Sequence, residues 1–257
     1  MTTVNETKEL SDVETFFFAD ETKFSLNDND PEDTIYYFLI RVYKSQAGKI
    51  NALYDKILSD FGINKVFHAT DVFKEKKVNA ELMNKMSDLI VENKLPCFCF
   101  KYQKDRLFSA AAKQFSYLND ESTFNFDNHE FQAVFFLIQC FDYYLQRNPN
   151  LIQPKGLIFF DRSVVYGAND LQAFDFDKHT FLKRMLFINK KKIKLIGLPD
   201  FFGYIFRKSK LSQNKVQLGD NSLVKSPLVA QCYESLLKIN QVKLFHFIDL
   251  DSWMYKV

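Results

Sequence analysis

The sequence predicts an α/β fold with a mixed central β-sheet flanked by helices, and three observations carry that prediction. Short runs rich in Phe, Ile, Val and Tyr alternate with longer stretches whose apolar residues recur at helical spacing, as strands interleaved with amphipathic helices do. Two of the runs, Phe16-Phe17-Phe18-Ala19 and Leu157-Ile158-Phe159-Phe160, are continuously apolar, as strands covered on both faces are. The length of 257 residues fits one elaborated domain over 1–257, with helical insertions, better than two small ones.

Composition agrees. Apolar residues make up 47% of the chain and 29 residues are Phe, enough for a large core and against a disordered or collagen-like chain. The net charge of +2 neither demands a nucleic-acid partner nor excludes one, so local clustering must carry that argument. Cys97, Cys99, Cys140 and Cys232 form no C-x-x-C pair and no zinc-type cluster with the four histidines, which predicts reduced core thiols. The polar, acidic start over 1–14 reads as flexible and lacks a signal-peptide pattern, and no run of about 18 apolar residues could span a bilayer. The expectation is a cytoplasmic protein with no membrane contact.

In chain order, Thr15 to Ala19 reads as a first strand closing at Asp20, and Thr34 to Tyr43 as its hairpin partner across a turn cluster. Ile50, Leu53, Tyr54, Ile57 and Leu58 predict a helix from about Ala47 to Phe61, ended by Gly62. Lys65 to Asp71 reads as a strand edge, Ala80 to Asn93 as a helix, and Cys97 to Tyr102 as a strand. Asp105 to Leu118 and Asp127 to Arg147 read as helices, the second opened by an Asp127/Glu130 capping box and burying Phe131, Val134, Phe135, Ile138 and Phe141 or Asp142. Gly156 to Phe160 is a central strand closed by Asp161. Ser163 to Asp177 reads as a long polar connection, Lys178 to Ile188 as a helix, and Lys192 to Leu198 as a strand. Pro199-Asp200 opens a helix over Phe201 to Lys208, Ser226-Pro227 opens another to about Ile239, and Val242 to Ile248 is a last strand.

An Asp at the end of a buried strand is costly unless paired, hydrogen-bonded or bound to metal. Asp20 and Asp161 both stand there, and Asp200 stands in the first turn of a helix. Each alone could be a turn former or a cap. Together at one sheet edge they would repel one another, so the set makes sense around a cation, and all-oxygen ligation selects Mg²⁺ or Mn²⁺. His68 suits proton transfer or contact with a phosphate, or it bonds a loop carbonyl. Glu21 lies on the opposite face from Asp20 if the strand continues, as a secondary ligand or support for the fold.

Phe18-Ala19-Asp20-Glu21-Thr22 resembles the Asp-Glu-Ser-Gly signature ending the first strand of a widespread, uncharacterised bacterial family, domain of unknown function number thirty-eight hundred. Phe67-His68-Ala69-Thr70-Asp71 resembles its His-containing segment, Ile158-Phe159-Phe160-Asp161 its inner-strand Asp, and Leu198 to Ile205 its late Leu-Ala-Asp helix. Thr22 and Lys23 stand where that family commonly has Ser and Gly, and Pro199 where Ala is usual. The resemblance implies a ribonuclease H-like fold whose three acids hold two metal ions for phosphodiester cleavage, with Asp20 bridging both, in a family often found with mobile elements or antiviral defence.

Basic residues gather around Asp200: Lys183, Arg184, Lys190, Lys191, Lys192 and Lys194 before it, Arg207, Lys208 and Lys210 after it. They suit a phosphate-rich ligand, with Lys192, Lys194, Arg207 and Lys208 as nucleic-acid contacts, or they protect a sheet edge from pairing. Tyr166, Phe201, Phe202 and Tyr204 are candidates to stack on unpaired bases, although Phe at these spacings is more often core. The expected function is therefore a metal-dependent nuclease. The alternatives are a non-catalytic nucleic-acid or protein binding module on the same scaffold, and hydrolysis of a small nucleotide at the same metals.

Overall fold

The apolar run that opens the chain forms strand β1, Thr15–Lys23, which continues three residues past Asp20 because β2, Thr34–Tyr43, pairs antiparallel with it along its whole length. The computed structural model describes residues 12–23, 34–74, 79–103, 129–152, 155–161, 171–175, 179–217, 219–222 and 225–250. Helix α1, Lys44–Asp60, follows directly and is stopped by Gly62, whose φ of +67° is the left-handed conformation glycine adopts freely. A single turn, α2, Ala69–Val72, leads to α3, Ala80–Glu92, where the Asn79 side chain caps the Leu82 N–H at 3.0 Å. Then come β3, Cys97–Gln103, α4, His129–Arg147, and β4, Gly156–Asp161. They are followed by β5, Leu171–Asp175, and β6, Leu182–Ile188. The chain continues through α5, Gly197–Gln217, α6, Pro227–Gln241, and β7, Phe245–Asp249.

The strands make one mixed seven-stranded sheet in the order β5-β6-β4-β1-β2-β3-β7. β1, β2 and β3 pair antiparallel in sequence, β1 pairs parallel with β4 and β4 with β6, β3 pairs parallel with β7, and β5 closes one edge antiparallel to β6. Alternation along the strands sorts their side chains onto two faces. On one face Phe18, Tyr36, Phe38 and Ile40 pack with α1, α3, α5 and α6; on the other Phe17, Tyr37, Phe98 and Phe160 pack with α4. Phe18 and Phe159, partners in the β1–β4 register, stack at 5.4 Å between ring centroids. All four cysteines are free and buried. No helix among the described residues is long and apolar enough to cross a membrane.

Several expectations need correction. Lys178 to Ile188 is not helical. Leu182, Met185 and Leu186 fit helical spacing, yet β4 and β5 pair with this segment on both sides and make it β6. Lys192 to Leu198 is not a strand but a short 3₁₀ turn, Lys194–Ile196, running straight into α5, which starts earlier and ends later than Phe201 to Lys208. Lys65 to Asp71 is not a strand edge: the segment carries Phe67 and Ala69 into the core and ends in α2. The connection after Asp161 contains β5, an edge strand of only five residues inside an otherwise polar stretch. Pro227 begins α6 as expected, although the Ser226 side chain makes no capping bond.

Asp105 to Leu118, the capping residue Asp127, residues 1–11 and Tyr166 lie outside the described residues, as do the side chains of Lys23, Phe131 and Phe135. Within the described start, the Glu14 carbonyl accepts from the Lys44 N–H at 2.9 Å and Asp12 pairs with Lys155 at 2.7 Å.

Candidate active site

The three aspartates singled out in the sequence meet on one face of the sheet. Ala19 and Phe160 are the last recorded partners of parallel β1 and β4, so the next residues, Asp20 and Asp161, stand side by side. Both share the face of Phe18 and Phe159, against which α5 packs. Asp200, in the first turn of α5, comes down onto them. The expected convergence is therefore present, and it follows from register and alternation together.

The cation at its centre is Lys190, which the sequence placed among the basic residues around Asp200 without assigning it to the carboxylates. Lys190 lies two residues beyond β6, and its ammonium Nζ sits 2.9 Å from Asp20 Oδ2, 3.2 Å from Asp161 Oδ2 and 3.6 Å from Asp200 Oδ2. Lys190 is only 7% exposed, so it is not a freely exposed surface charge and no guard of a sheet edge. The signal that could have found it is the strand period: had β6 been recognised, Leu186, Ile188 and Lys190 would fall on the face of Asp161.

Electrostatics explain why a buried cation is needed. Burial above all raises the Asp20 carboxyl, Lys190 pulls it down, and Asp200 and Asp161 push it up, for a net value of about 7. Burial would lower the Lys190 ammonium, but the three carboxylates more than offset that and raise it above its ordinary value. One ammonium so placed compensates charges that would otherwise be costly to bury.

Around this centre the other predicted residues take graded positions. His68 is half exposed at the rim, its Nδ1 3.7 Å from Asp200 Oδ2, while the Ala69 N–H donates to the same oxygen at 3.2 Å. Glu21, Thr22 and Arg207 border a small cavity of about 40 Å³ together with Asp20 and Asp200, so Glu21 is near the cluster even though strand alternation alone sets it on the other face. Lys192 and Lys194 are exposed, and Lys194 pairs with Asp55 at 2.8 Å. Lys208 lies 5.8 Å above the Tyr204 ring. Phe201, Phe202 and Tyr204 cannot stack on bases as expected: they are core residues, and the Tyr204 hydroxyl donates to the Phe73 carbonyl at 2.8 Å.

A larger cleft of about 930 Å³ opens on the other side of Lys190, between α1, residues 63–68 and the start of α5. Gly197 borders it, and a Cβ there would collide with the Tyr54 hydroxyl. That hydroxyl is buried without a hydrogen-bond partner among the described residues. Burial, with the charges of Asp200 and Asp55, raises its pKa well above the usual value. Neither Tyr54 nor Gly197 was visible as a site residue in sequence, since Tyr54 reads as part of a helix's apolar face and Gly197 as part of the expected strand Lys192 to Leu198.

Among the described residues no group of three or more His, Cys, Asp or Glu stands arranged to take a metal ion. The donor set around the Lys190 ammonium is all carboxylate oxygen. No protein-family model, curated protein or solved structure matches the chain.

Proposed function

We propose that this protein is a divalent-cation-dependent phosphodiester hydrolase acting on nucleic acid, on a ribonuclease H-like scaffold. The observation that carries the reading is the convergence of Asp20, Asp161 and Asp200, from a first strand, an inner strand and a late helix, on one cation position. That ordered set is what the resemblance to the Asp-Glu-Ser-Gly family implied, and a mixed sheet with β1 at its middle supports the same scaffold.

The three aspartates would hold Mg²⁺ or Mn²⁺ where the Lys190 ammonium now sits; a second ion would draw on Asp20, Asp200 and Glu21 at the small cavity. Divalent ions so bound supply an activated water and charge stabilisation at the leaving oxygen. Lys190, on a flexible four-carbon arm that also lines the large cleft, is placed to leave the carboxylates and meet a substrate phosphate. His68, half exposed beside Asp200, is placed to exchange a proton with solvent through its ring nitrogens. The test is cleavage of single- and double-stranded DNA and RNA with Mn²⁺ and with EDTA. Cation-dependent cutting by the wild type and none by a folded Asp161→Asn variant is the expected outcome; equal cutting by that variant removes the assignment.

A second reading is favoured by Lys190 itself. If its ammonium is a permanent occupant, the carboxylates are a structural knot and the protein is a binding module. Mn²⁺ titrated into the metal-free chain then leaves no carboxylate-dependent binding, and salt-sensitive nucleic-acid binding persists in EDTA.

A further inference from the structure

We propose that the cleft beside Lys190 binds a single nucleotide unit, its phosphate against Lys190 and Lys191 and its base along an apolar wall. This deepens the phosphodiesterase reading and rests on it for the identity of the ligand.

The cleft's volume of about 930 Å³ is at the upper end of the range for small-molecule sites, roughly 300–1,000 Å³. Its lining joins charged to apolar side chains. His68 and Lys190, which also stand at the carboxylate cluster, line it, as does Lys191. Leu58, Ile63, Val66 and Phe67 line it as well and give it an apolar wall. Its lining holds four lysines against two aspartates, Asp55 and Asp71, of which Asp55 is engaged by Lys194 at 2.8 Å. An anion alone would leave the apolar wall unused, and an apolar ligand would desolvate the lysines without compensation. A nucleotide satisfies both kinds of lining at once.

Position adds direction to chemistry. Lys190 lines the cleft while its ammonium stands 3.2 Å and 3.6 Å from Asp161 and Asp200. A phosphate drawn to Lys190 from the cleft therefore arrives beside the carboxylates. The Tyr54 hydroxyl, also part of the lining, is a buried donor left without a partner among the described residues, and such a donor gains most from an oxygen brought near it.

The experiment is calorimetric titration of the full chain in EDTA with adenosine 5′-monophosphate and, separately, with inorganic phosphate. Saturable binding of the nucleotide is expected, with phosphate at least about tenfold weaker. Lys191→Glu, at an exposed position, and Ile63→Glu, on the wall, should each weaken the nucleotide by at least about tenfold, while Lys85→Glu on the outer side of α3 leaves it unchanged. Nucleotide binding no tighter than phosphate, or indifferent to both cleft variants with thermal transitions intact, overturns the proposal. Because no cation is present, the result stands apart from cleavage: the cleft can pass while Mn²⁺-dependent cutting fails, and the reverse.

Discussion

Two sets of buried carboxylates lie on opposite faces of the sheet, and they are solved in opposite ways. Asp142, on α4, is 3% exposed and accepts three backbone N–H groups, from Thr180 at 2.9 Å and from Phe181 and Leu182 at 2.8 Å, with Gln146 donating at 3.0 Å. Burial acts to raise its carboxyl, yet the backbone donors outweigh burial and hold it below its ordinary value. Asp20, Asp161 and Asp200 share the Lys190 ammonium, and Asp200 also accepts from the Ala69 N–H, where Asp142 is held mainly by backbone dipoles. A carboxylate satisfied by backbone fastens β6 to α4 and has no capacity left for a ligand. Carboxylates satisfied by an ammonium on a flexible stem can exchange that cation for another.

The sharpest way to break this comparison is activity. Asp161→Asn should lower Mn²⁺-dependent cleavage by at least about a thousandfold, because several kcal/mol of charge stabilisation go with one ligand. Asp142→Asn should leave cleavage per folded molecule nearly unchanged. Side-by-side nuclease assays on both purified variants decide it, and comparable losses in the two would mean the faces are not functionally distinct.

Stability gives the next effect. Lys190→Met strands two buried carboxylates and the partly buried Asp200, which should cost about 3–5 kcal/mol near neutral pH in EDTA. Added Mn²⁺ should restore much of that loss by binding the folded state alone. Denaturant unfolding with and without Mn²⁺ measures both parts; a variant as stable as wild type in EDTA would show that the ammonium is not what holds the acids together. Asp142→Asn should cost less, about 2–3 kcal/mol, since it weakens charge-assisted hydrogen bonds without leaving an uncompensated charge. Mn²⁺ should not recover that loss, and unfolding curves of the same design test this.

The same contrast shows what the sequence could reveal. Asp20 and Asp161 were legible because each ends a continuous apolar run, and an acid there demands an explanation. Asp200 was legible by its place in a helix's first turn. Their convergence depends on β1 and β4 being neighbours, a long-range pairing that the local pattern does not encode. Lys190 was missed for a related reason. Leu182, Met185, Leu186 and Ile188 satisfy both helical and strand spacing, and only hydrogen bonding to β4 and β5 chooses the strand. With the wrong period the lysine next to the strand's end read as a surface charge. Asp142 was noted on the buried side of its helix, but its partners come from a segment about forty residues later whose structure was read as helix.

The finest test uses pH, and its signal is smallest because other carboxylates titrate in the same range. Burial raises the Asp20 carboxyl from an unfolded value of 3.8 to about 7 in the cation-free fold, Lys190 notwithstanding. Between those values the folded chain keeps a proton that the unfolded chain has released. Stability from this group is therefore full below about 3.8 and is lost as pH rises to about 7. A divalent ion reverses the preference, since it binds the ionised carboxylate and expels the proton, so Mn²⁺ affinity should climb with pH up to about 7 and level off above it. Thermal unfolding of wild type and Asp20→Asn in EDTA isolates the first slope, and Mn²⁺ titrations at pH 5.5, 6.5 and 7.5 (values spaced about one unit apart to bracket the transition) read the second. If Mn²⁺ affinity is flat over that range, Asp20 is already ionised against Lys190, and the cluster resembles the Asp142 site in being permanently satisfied.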